Sequence, residues 1–197
     1  MAERESSHGV VVLAAGASTR LGSPKQLLMH CGETLVRRTL RNALATHPAA
    51  AVIVVGAQAD AVHAAVADLA VQRVDAGDWN DGMGASLRAG LAALPNAVDA
   101  ALVVLCDQPA LDAEHLQRLV SAWNKNRSRA VASAYADAVG VPALLPRSWF
   151  AALAGSRGDG GARDLIASRR SEVVAIRNDA LAQDIDVDDD RGALHED

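Results

Sequence analysis

Aromatic residues and cysteines are scarce in this chain, and each shortage excludes a class of protein. Phenylalanine, tryptophan and tyrosine together make up 3% of the 197 residues, so the interior has to be built from valine, leucine, isoleucine and alanine. The two cysteines, Cys31 and Cys106, have no metal-binding spacing and are too few for a disulfide framework. Such cysteine usage fits a reducing cytoplasm.

Positive charge and long apolar runs are also missing. The formal net charge is −5, and no basic stripe stands out, which argues against nucleic acid as a partner. The apolar run after the polar N-terminus is too short for a membrane helix and lacks the layout of a signal peptide. We therefore expect a cytoplasmic protein that binds neither nucleic acid nor a membrane.

What the chain does have is hydrophobic residues, 50% of the total, in alternating strand and helix patterns. Buried strands are predicted for residues 10–13, 51–55 and 100–106, and helices for residues 34–45, 58–69 and 113–124. We expect Thr34 and Asp112 to cap helices and Ser86 to begin one. The alternation predicts a three-layer α/β/α fold with a mainly parallel sheet.

The length predicts a single domain over residues 1–197. We expect flexible ends at residues 1–8 and 191–197.

The stretch from residue 10 to residue 25 carries the strongest chemical signal. A buried strand opens there into a glycine-rich loop flanked by Arg20 and Lys25. Glycine lets backbone N–H groups approach an anion closely, and the two cations supply positive charge, so the loop suits phosphate. It is neither a P-loop nor a dinucleotide fingerprint, because the spacing around Gly16 and Gly22 fits neither motif.

A second candidate is Asp107, which follows the buried strand at residues 100–106. Ligands of open α/β sheets bind beyond the carboxyl ends of the strands. A carboxylate at such a position can hold Mg²⁺ that bridges phosphate oxygens. The structural alternative is an aspartate that shapes the turn before Pro109.

Two glycine-rich segments and an acidic tail are open to more than one interpretation. Residues 78–87 read, by their chemistry alone, as an ordinary loop capped by Ser86. Residues 155–163 are either a surface loop or a helix start whose free N–H groups, at Gly160 and Gly161, face an anion. The acidic run at residues 183–190 is typical of a solvated tail.

Taken together, the motifs L-A-A-G-x-S-x-R-x-G-x-x-K, D-Q-P, G-x-P, G-D-x-G-A-R and D-I-D resemble those of the MobA-like nucleotidyltransferase family. Within that family they are most similar to the molybdenum cofactor (molybdopterin) cytidylyltransferases. The resemblance extends from about residue 10 to residue 190. It implies a Rossmann-like nucleotidyltransferase fold with a mainly parallel, mixed sheet.

The resemblance also implies an activity. The family's reaction is Mg²⁺-dependent transfer of CMP from CTP to the terminal phosphate of molybdopterin, with release of pyrophosphate. The product serves the maturation of xanthine-dehydrogenase-type molybdenum hydroxylases, so a transient contact with such a hydroxylase or its chaperone is expected.

Site residues follow from the same resemblance. The implied catalytic residues are Arg20, Lys25 and Asp107, and the implied metal ligands are Asp107 and Asp186. The implied nucleotide-binding residues are Leu13, Ala14, Ala15, Gly16, Arg20, Lys25, Asn80, Gly82 and Ser86. The implied acceptor-binding residues are Gln108, Pro109, Pro142, Asp159, Gly160 and Gly161. The chain departs from the family's D-I-D-x-P pattern by having Asp188 in place of proline.

Four other functions stay open. The L-A-A-G loop favours CTP, but guanylyltransferases of this group differ at the position of Ala15 by a single residue, and the phosphate acceptor could be a metabolite other than molybdopterin. A non-catalytic carrier of molybdopterin is a reading of another class. An oxidoreductase, as named for some similar sequences, is a further one, although the sequence contains no flavin or nicotinamide motif.

Overall fold

The structure, a computed structural model, describes residues 7–18, 23–155 and 160–182. The strands in these segments are β1 (His8–Ala14), β2 (Met29–His30), β3 (Glu33–Thr34), β4 (Ala50–Val55), β5 (Gln72–Asp75), β6 (Ala100–Leu105), β7 (Ala130–Tyr135), β8 (Ala138–Pro146) and β9 (Val173–Arg177). The α-helices are α1 (Leu35–Leu44), α2 (Ala59–Ala64), α3 (Met83–Ala93), α4 (Ala113–Lys125), α5 (Phe150–Ala154) and α6 (Gly161–Ser168).

The main sheet of the described chain has the strand order β5-β4-β1-β6-β8-β7-β9. Strands β5, β4, β1 and β6 pair in parallel, and so do β7 and β9. Strand β8 is antiparallel to both β6 and β7. The predicted mainly parallel, mixed sheet is therefore confirmed, and the carboxyl ends of β1, β4 and β6 lie side by side at one edge.

Strand β1 shows why the fold has three layers. It is buried throughout, and successive side chains point to opposite faces. Val10 and Val12 belong to one core, shared with α1, α2 and α4, whereas Val11 and Leu13 belong to the other, shared with α3, α5 and α6. Each face of a strand buried on both sides thus needs its own helical cover.

Several local expectations hold and others need correction. Asp112 caps α4 as predicted, since its carboxylate accepts a hydrogen bond of 2.8 Å from the backbone N–H of His115. Thr34 precedes α1 but makes no capping bond with its side chain. Helix α3 begins at Met83 after Gly82, whose φ of 100° suits glycine, so Ser86 is buried inside the helix and does not begin it.

The second helix and the N-terminus also differ from expectation. Helix α2 ends at Ala64, because the chain tightens there to three-residue spacing, with Val66 N–H donating to His63 O and Leu69 N–H to Val66 O. The first strand includes His8, which we expected in the flexible end. Its imidazole is buried, and the backbone of Ser7 donates to the carboxylate of Asp99.

Among the helices that the structure describes, none combines the length and apolar character needed to cross a membrane.

Candidate active site

Two cavities open at the edge where β1, β4 and β6 end. The parallel register of β1 and β6 pairs Leu13 with Leu105, so the loop after Ala14 runs beside Asp107. Each cavity has a volume of about 370 Å³. The first cavity is lined by Leu13, Ala15, Gly16, Ala17, Lys25, Gln26, Trp79, Asn80, Gly82, Met83, Ser86, Leu105, Cys106 and Asp107. The second cavity is lined by Leu13, Lys25, Met83, Leu87, Val103, Leu105, Asp107, Tyr135, Ala138, Val139, Gly140, Val141, Gly160, Ala162 and Arg163.

The two cavities meet at an ion pair. Lys25 Nζ lies 2.6 Å from Asp107 Oδ2, and the two side chains are 21% and 15% exposed. Both residues line both cavities. A mostly buried pair of this kind interacts more strongly than a surface salt bridge, because water screens it less.

Asp107 has a feature that fits a metal ligand. Its second oxygen, Oδ1, is buried and has no hydrogen-bond partner among the described residues. Buried polar atoms are normally satisfied, so an orphaned carboxylate oxygen at a cavity wall fits a cation such as Mg²⁺. The described residues contain no cluster of three or more metal-binding side chains, and Asp186, the other predicted ligand, lies outside them.

The glycine-rich loop is held in place by Gln26, a residue that the sequence analysis did not select. Gln26 is buried, and its amide donates hydrogen bonds to Ala14 O at 3.2 Å and Gly16 O at 2.8 Å. Ser18 Oγ accepts from the backbone N–H of Lys25 at 3.0 Å. The oxygens of these two loop carbonyls accept hydrogen bonds from Gln26, so their negative ends point toward the amide and do not repel an anion bound at the loop.

Trp79 and Ala15 both line the first cavity and pack closely against Gly56. A Cβ atom at Gly56 would lie 2.7 Å from both Ala15 O and Trp79 Cγ, so only glycine lets these groups pack so closely. Asn80 and Gly82 follow Trp79 along the wall, and Ser86 lies on the first turns of α3. An indole face next to small backbone groups suits a flat ring.

The second cavity combines an apolar lining with two cations and the Asp107 carboxylate. Leu87, Val103 and Val139 form part of the apolar lining, and Lys25 and Arg163 supply positive charge. The N-terminus of α6 lies close to that of α3, since a Cβ atom at Gly161 would be 3.8 Å from Gly84 N. The pairing of apolar walls with two cations suits an anionic molecule that has an apolar or flat body.

Four described residues predicted to bind an acceptor, Gly161 at the start of α6 and also Gln108, Pro109 and Pro142, do not line either cavity. Gln108 is buried and donates to Leu181 O at 3.1 Å, and Pro109 O accepts from Arg38 Nε at 3.2 Å. Pro142 O accepts from Ser133 Oγ at 2.7 Å. Their observed contacts anchor the segments that lead to the cavities, and Arg38 is one of the residues that provide these contacts.

Of the other predicted residues, Leu13, Ala15, Gly16, Lys25, Asn80, Gly82, Ser86 and Asp107 line the first cavity, and Gly160 lines the second. Ala14 is buried behind the loop, and Gly161 begins α6. Arg20, Asp159 and Asp186 lie outside the described residues. The roles of all these residues stay predictions.

Four residues that line or support the cavities were not predicted from the sequence: Gln26, Trp79, Tyr135 and Arg163. Gln26 offered one signal, a polar residue directly before the apolar pair Leu27 and Leu28. Trp79 stood within the glycine-rich segment, where an aromatic residue is unusual in so aromatic-poor a chain. The positions of Tyr135 and Arg163 depend on how β7, β8 and α6 pack, which local patterns do not encode.

Cys106 lines the first cavity, but its thiol does not act as a nucleophile. Burial raises the pKa of its thiol, and the neighbouring Asp107 carboxylate raises that pKa further. The thiol therefore stays protonated at neutral pH, which excludes it as a thiolate nucleophile.

A mainly parallel α/β sheet with a glycine-rich loop, a lysine and an aspartate at the carboxyl ends of its strands defines a phosphate-binding protein of the nucleotide-binding α/β class. Comparison with known families identifies the family to which the chain belongs. The MobA-like NTP transferase domain matches residues 10–173, and the chain belongs to this family of nucleotidyltransferases.

Two relatives of known name differ in how much of their own length the match covers. Nicotine blue oxidoreductase of Paenarthrobacter nicotinovorans is 34% identical over 186 residues, which cover 89% of this chain and 90% of that protein. The bifunctional protein GlmU of Streptomyces coelicolor is 39% identical over 116 residues, which cover 57% of this chain but only 24% of that protein.

Among solved structures, Rv0371c of Mycobacterium tuberculosis H37Rv is 32% identical. It superposes with a TM-score of 0.84 over 97% of this chain and 99% of that one. The same protein has also been solved in complex with manganese, with a TM-score of 0.79 and 31% identity over 96% of this chain and 98% of that one.

Proposed function

We propose that this protein transfers CMP from CTP to the terminal phosphate of molybdopterin and releases pyrophosphate. The observation that carries the proposal is the pair of cavities that meet at Lys25 and Asp107. A transferase must hold a nucleotide and an acceptor at once, with the reacting atoms at their common border.

The first cavity suits the nucleotide. The backbone around Gly16 and the Lys25 ammonium face the phosphates, and Trp79 provides a surface for the base. Ala15 and Trp79 lie on either side of Gly56 within reach of a Cβ atom there, so a change in the size of Ala15 would alter the space beside Trp79. These contacts support CTP as the donor. Arg20, outside the described residues, is proposed to add charge at the same loop.

The second cavity suits the acceptor. Arg163 and Lys25 offset the charge of a phosphomonoester, while the apolar side walls accept its ring system. Molybdopterin, a ring system that carries a terminal phosphate, has this chemistry. The motif resemblance to molybdopterin-handling enzymes supports it over other phosphate acceptors.

The reaction needs alignment more than acid–base chemistry. An oxygen of the acceptor phosphate attacks the α-phosphorus of CTP, and the bond from that phosphorus to the bridging oxygen of pyrophosphate breaks. The nucleophile is already an anion, so the residues act by orientation and charge neutralisation. Lys25 offsets charge at the junction, and Gln26 keeps the loop in shape.

Asp107, with Asp186 as the proposed second ligand, would hold Mg²⁺ through its orphaned carboxylate oxygen. That ion supplies Lewis-acid stabilisation of phosphate charge.

The test is pyrophosphate release from the pure protein, supplied with Mg²⁺, metal-loaded molybdopterin and either CTP or GTP. Release with CTP alone is the expected result. Release with GTP alone would overturn the base preference and keep the reaction. Tight molybdopterin binding without release from either nucleotide would move the protein to the carrier class.

A second candidate function is an oxidoreductase, favoured by one observation, the 34% identity to a protein named nicotine blue oxidoreductase. The two functions separate cleanly. Redox turnover of nicotine blue by the pure protein, in the absence of any pyrophosphate release, would favour the oxidoreductase and contradict the transferase.

A further inference from the structure

Strand β8 contains two residues that its neighbour β7 does not match. Ala132 pairs with Ala143, but the next residue of β7, Ser133, pairs with Gly140. Val141 and Pro142 are therefore extra residues that bulge out of the ladder. A bulge leaves backbone groups without their usual partners and redirects the strand locally.

The carbonyls of both extra residues are bonded by side-chain hydroxyls of β7. Tyr135 Oη donates to Val141 O at 2.8 Å, and Ser133 Oγ donates to Pro142 O at 2.7 Å. We call Ser133 and Tyr135 the hydroxyl pair. Without these bonds, carbonyls inside the sheet would lose the hydrogen bonding that buried backbone groups require.

Ser133 is itself oriented by a buried histidine. His115 Nε2 lies 2.8 Å from Ser133 Oγ. The single hydroxyl hydrogen of Ser133 is donated to Pro142, so Nε2 must be the donor in its contact with Ser133. Nε2 therefore carries a proton, and burial lowers the pKa of the imidazole, which favours the neutral Nε2–H form over the imidazolium.

The bulge also forms a wall of the second cavity. Tyr135, Gly140 and Val141 all line it, with Lys25, Asp107 and Arg163 among the other lining residues. The phenol lies close to this wall, since a Cβ atom at Gly140 would be 3.7 Å from Tyr135 Oη. The position of the wall therefore depends on the hydroxyl pair.

We infer that Ser133 and Tyr135, with His115 behind Ser133, are positioning residues that hold the bulge of β8 in the shape that the acceptor binds. Ser133 is 0% exposed, so it acts through Pro142 and not by touching a substrate. The inference rests on the proposed function for what occupies the second cavity. The way in which the hydroxyl pair holds the cavity wall follows from the geometry of the bulge alone.

Ser133→Ala and Tyr135→Phe test the inference by kinetics with CTP and molybdopterin. Loss of one positioning hydrogen bond should raise KM for the acceptor about tenfold and change KM for CTP less than about twofold. A similar rise in both KM values would contradict the inference, because it would indicate general damage to the fold.

The chain offers a matched control. His8 Nε2 lies 2.9 Å from Thr46 Oγ1, which donates to Ala43 O at 2.6 Å, and none of these residues lines either cavity. Thr46→Val removes the same kind of buried histidine–hydroxyl–carbonyl contact at the amino end of β1. It should lower the melting temperature and leave both KM values unchanged.

A measurement without substrate separates this inference from the proposed function. In Ser133→Ala, amide hydrogen exchange of the peptide covering residues 136–145 should accelerate about tenfold, whereas Thr46→Val should leave that peptide unchanged. Unchanged exchange in Ser133→Ala would overturn the inference even if the enzyme proves to be a cytidylyltransferase. If exchange is faster in Ser133→Ala and the wild-type protein transfers no CMP, the role of Ser133 in holding the bulge is supported and the proposed function is refuted.

His115 supplies the rescue test. Glutamine places an amide donor near the position of Nε2, whereas leucine has no donor, so His115→Gln should retain slow exchange in residues 136–145 and His115→Leu should not. Equal exchange in the two variants would show that His115 is not one of the positioning residues. His115→Leu is the more disruptive of the two histidine variants. If it does not fold, Tyr135→Phe still tests whether the hydroxyl pair holds the bulge.

Discussion

Asp107 combines two environments in one carboxylate. One oxygen pairs with Lys25 at 2.6 Å, and the other is buried without a hydrogen-bond partner among the described residues. A carboxylate that served only the turn before Pro109 would not need to face two cavities. Its position at their junction agrees with the metal role that the sequence motif suggests.

Asp107→Asn should therefore abolish most turnover without unfolding the protein. Removing a preorganised charge at a reacting centre lowers kcat by about a hundredfold or more. The measurement is pyrophosphate release alongside a melting curve. Asp75→Asn is the matched control, since Asp75 ends β5 at the same edge of the sheet but is exposed and outside both cavities. Full Mg²⁺-dependent turnover in Asp107→Asn would contradict the metal assignment.

Lys25 should act in opposite directions on the two ligands. Its ammonium already neutralises Asp107, so Lys25→Met should tighten Mn²⁺ binding in the absence of nucleotide by about fivefold, because a competing cation is gone. The same change should weaken CTP binding by about tenfold, because a phosphate contact is lost. Titration calorimetry with each ligand alone measures both effects.

Arg177→Met is the control for Lys25→Met. It removes the cation of an exposed ion pair, Arg177–Asp179, and should change neither affinity. If Lys25→Met weakened binding of both ligands together, Lys25 would be organising the site and not competing with the metal.

At the scale of elements, the buried strands were predictable and the details of β8 were not. Residues 10–13 and 100–106 are apolar throughout, a pattern typical of strands buried on both faces. The first range lies within β1, and the second forms β6 up to Leu105. The two-residue bulge at Val141 depends on how β8 pairs with β7. Pairing is set by contacts between segments and not by the local sequence, so no pattern within residues 138–146 revealed it.

The candidate site likewise contains residues that the sequence could predict and residues that it could not. The loop, Lys25 and Asp107 could be selected because their chemistry is local and strongly patterned. Gln26 and the hydroxyl pair are ordinary polar residues in sequence, and only packing gives them their hydrogen bonds. Gln108 and Pro109 were expected at the acceptor, but their actual contacts point into the protein.

The β7–β8 hairpin contains a turn that the sequence does not favour. Ala136 and Asp137 have φ of 44° and 61°, the left-handed region that a two-residue type I′ turn requires. Asparagine tolerates this region better than alanine. Ala136→Asn should therefore stabilise the protein by about 1 kcal/mol, a rise in melting temperature of about 2–4 °C for a chain of this size.

Ala167→Asn supplies the matched control for the turn. Ala167 is exposed on α6, so the same substitution should destabilise the protein by about 0.5 kcal/mol through lower helix propensity. Opposite signs for the two variants would confirm that backbone conformation, and not the asparagine side chain in general, determines the effect. A fall in melting temperature for Ala136→Asn would contradict this account of the turn.

For the whole molecule, the sheet separates two cores and leaves the active site at one edge. Helices α1, α2 and α4 close one face, and α3, α5 and α6 close the other. The ligand cavities lie beyond the carboxyl ends, while buried histidines lie within the folded body. His8, 6% exposed at the start of β1, and His115, beneath the β7–β8 bulge, therefore both bear on global stability, and His115 also orients Ser133.

Global stability should fall as the pH decreases below neutrality. Burial lowers the pKa of His8 from 6.5 to about 4 and also lowers that of His115. Below pH 6.5 the unfolded chain binds protons that the folded protein does not accept, so unfolding is favoured progressively until the pH reaches the folded pKa. For His8 the loss is about 2 kcal/mol between about pH 7.5 and about pH 5.

Urea unfolding at those two pH values measures the effect with little interference from carboxylates. The carboxyl groups with lowered pKa values, Glu33, Asp68 and Asp75, contribute stability that is lost only at more acidic pH. His8→Gln should remove the His8 part of the pH dependence, His115→Gln should remove the remainder, and the double variant should unfold almost equally at both pH values. If the double variant kept the full pH dependence, the buried histidines would not be its cause, and a group outside the two cores would have to change its protonation on unfolding.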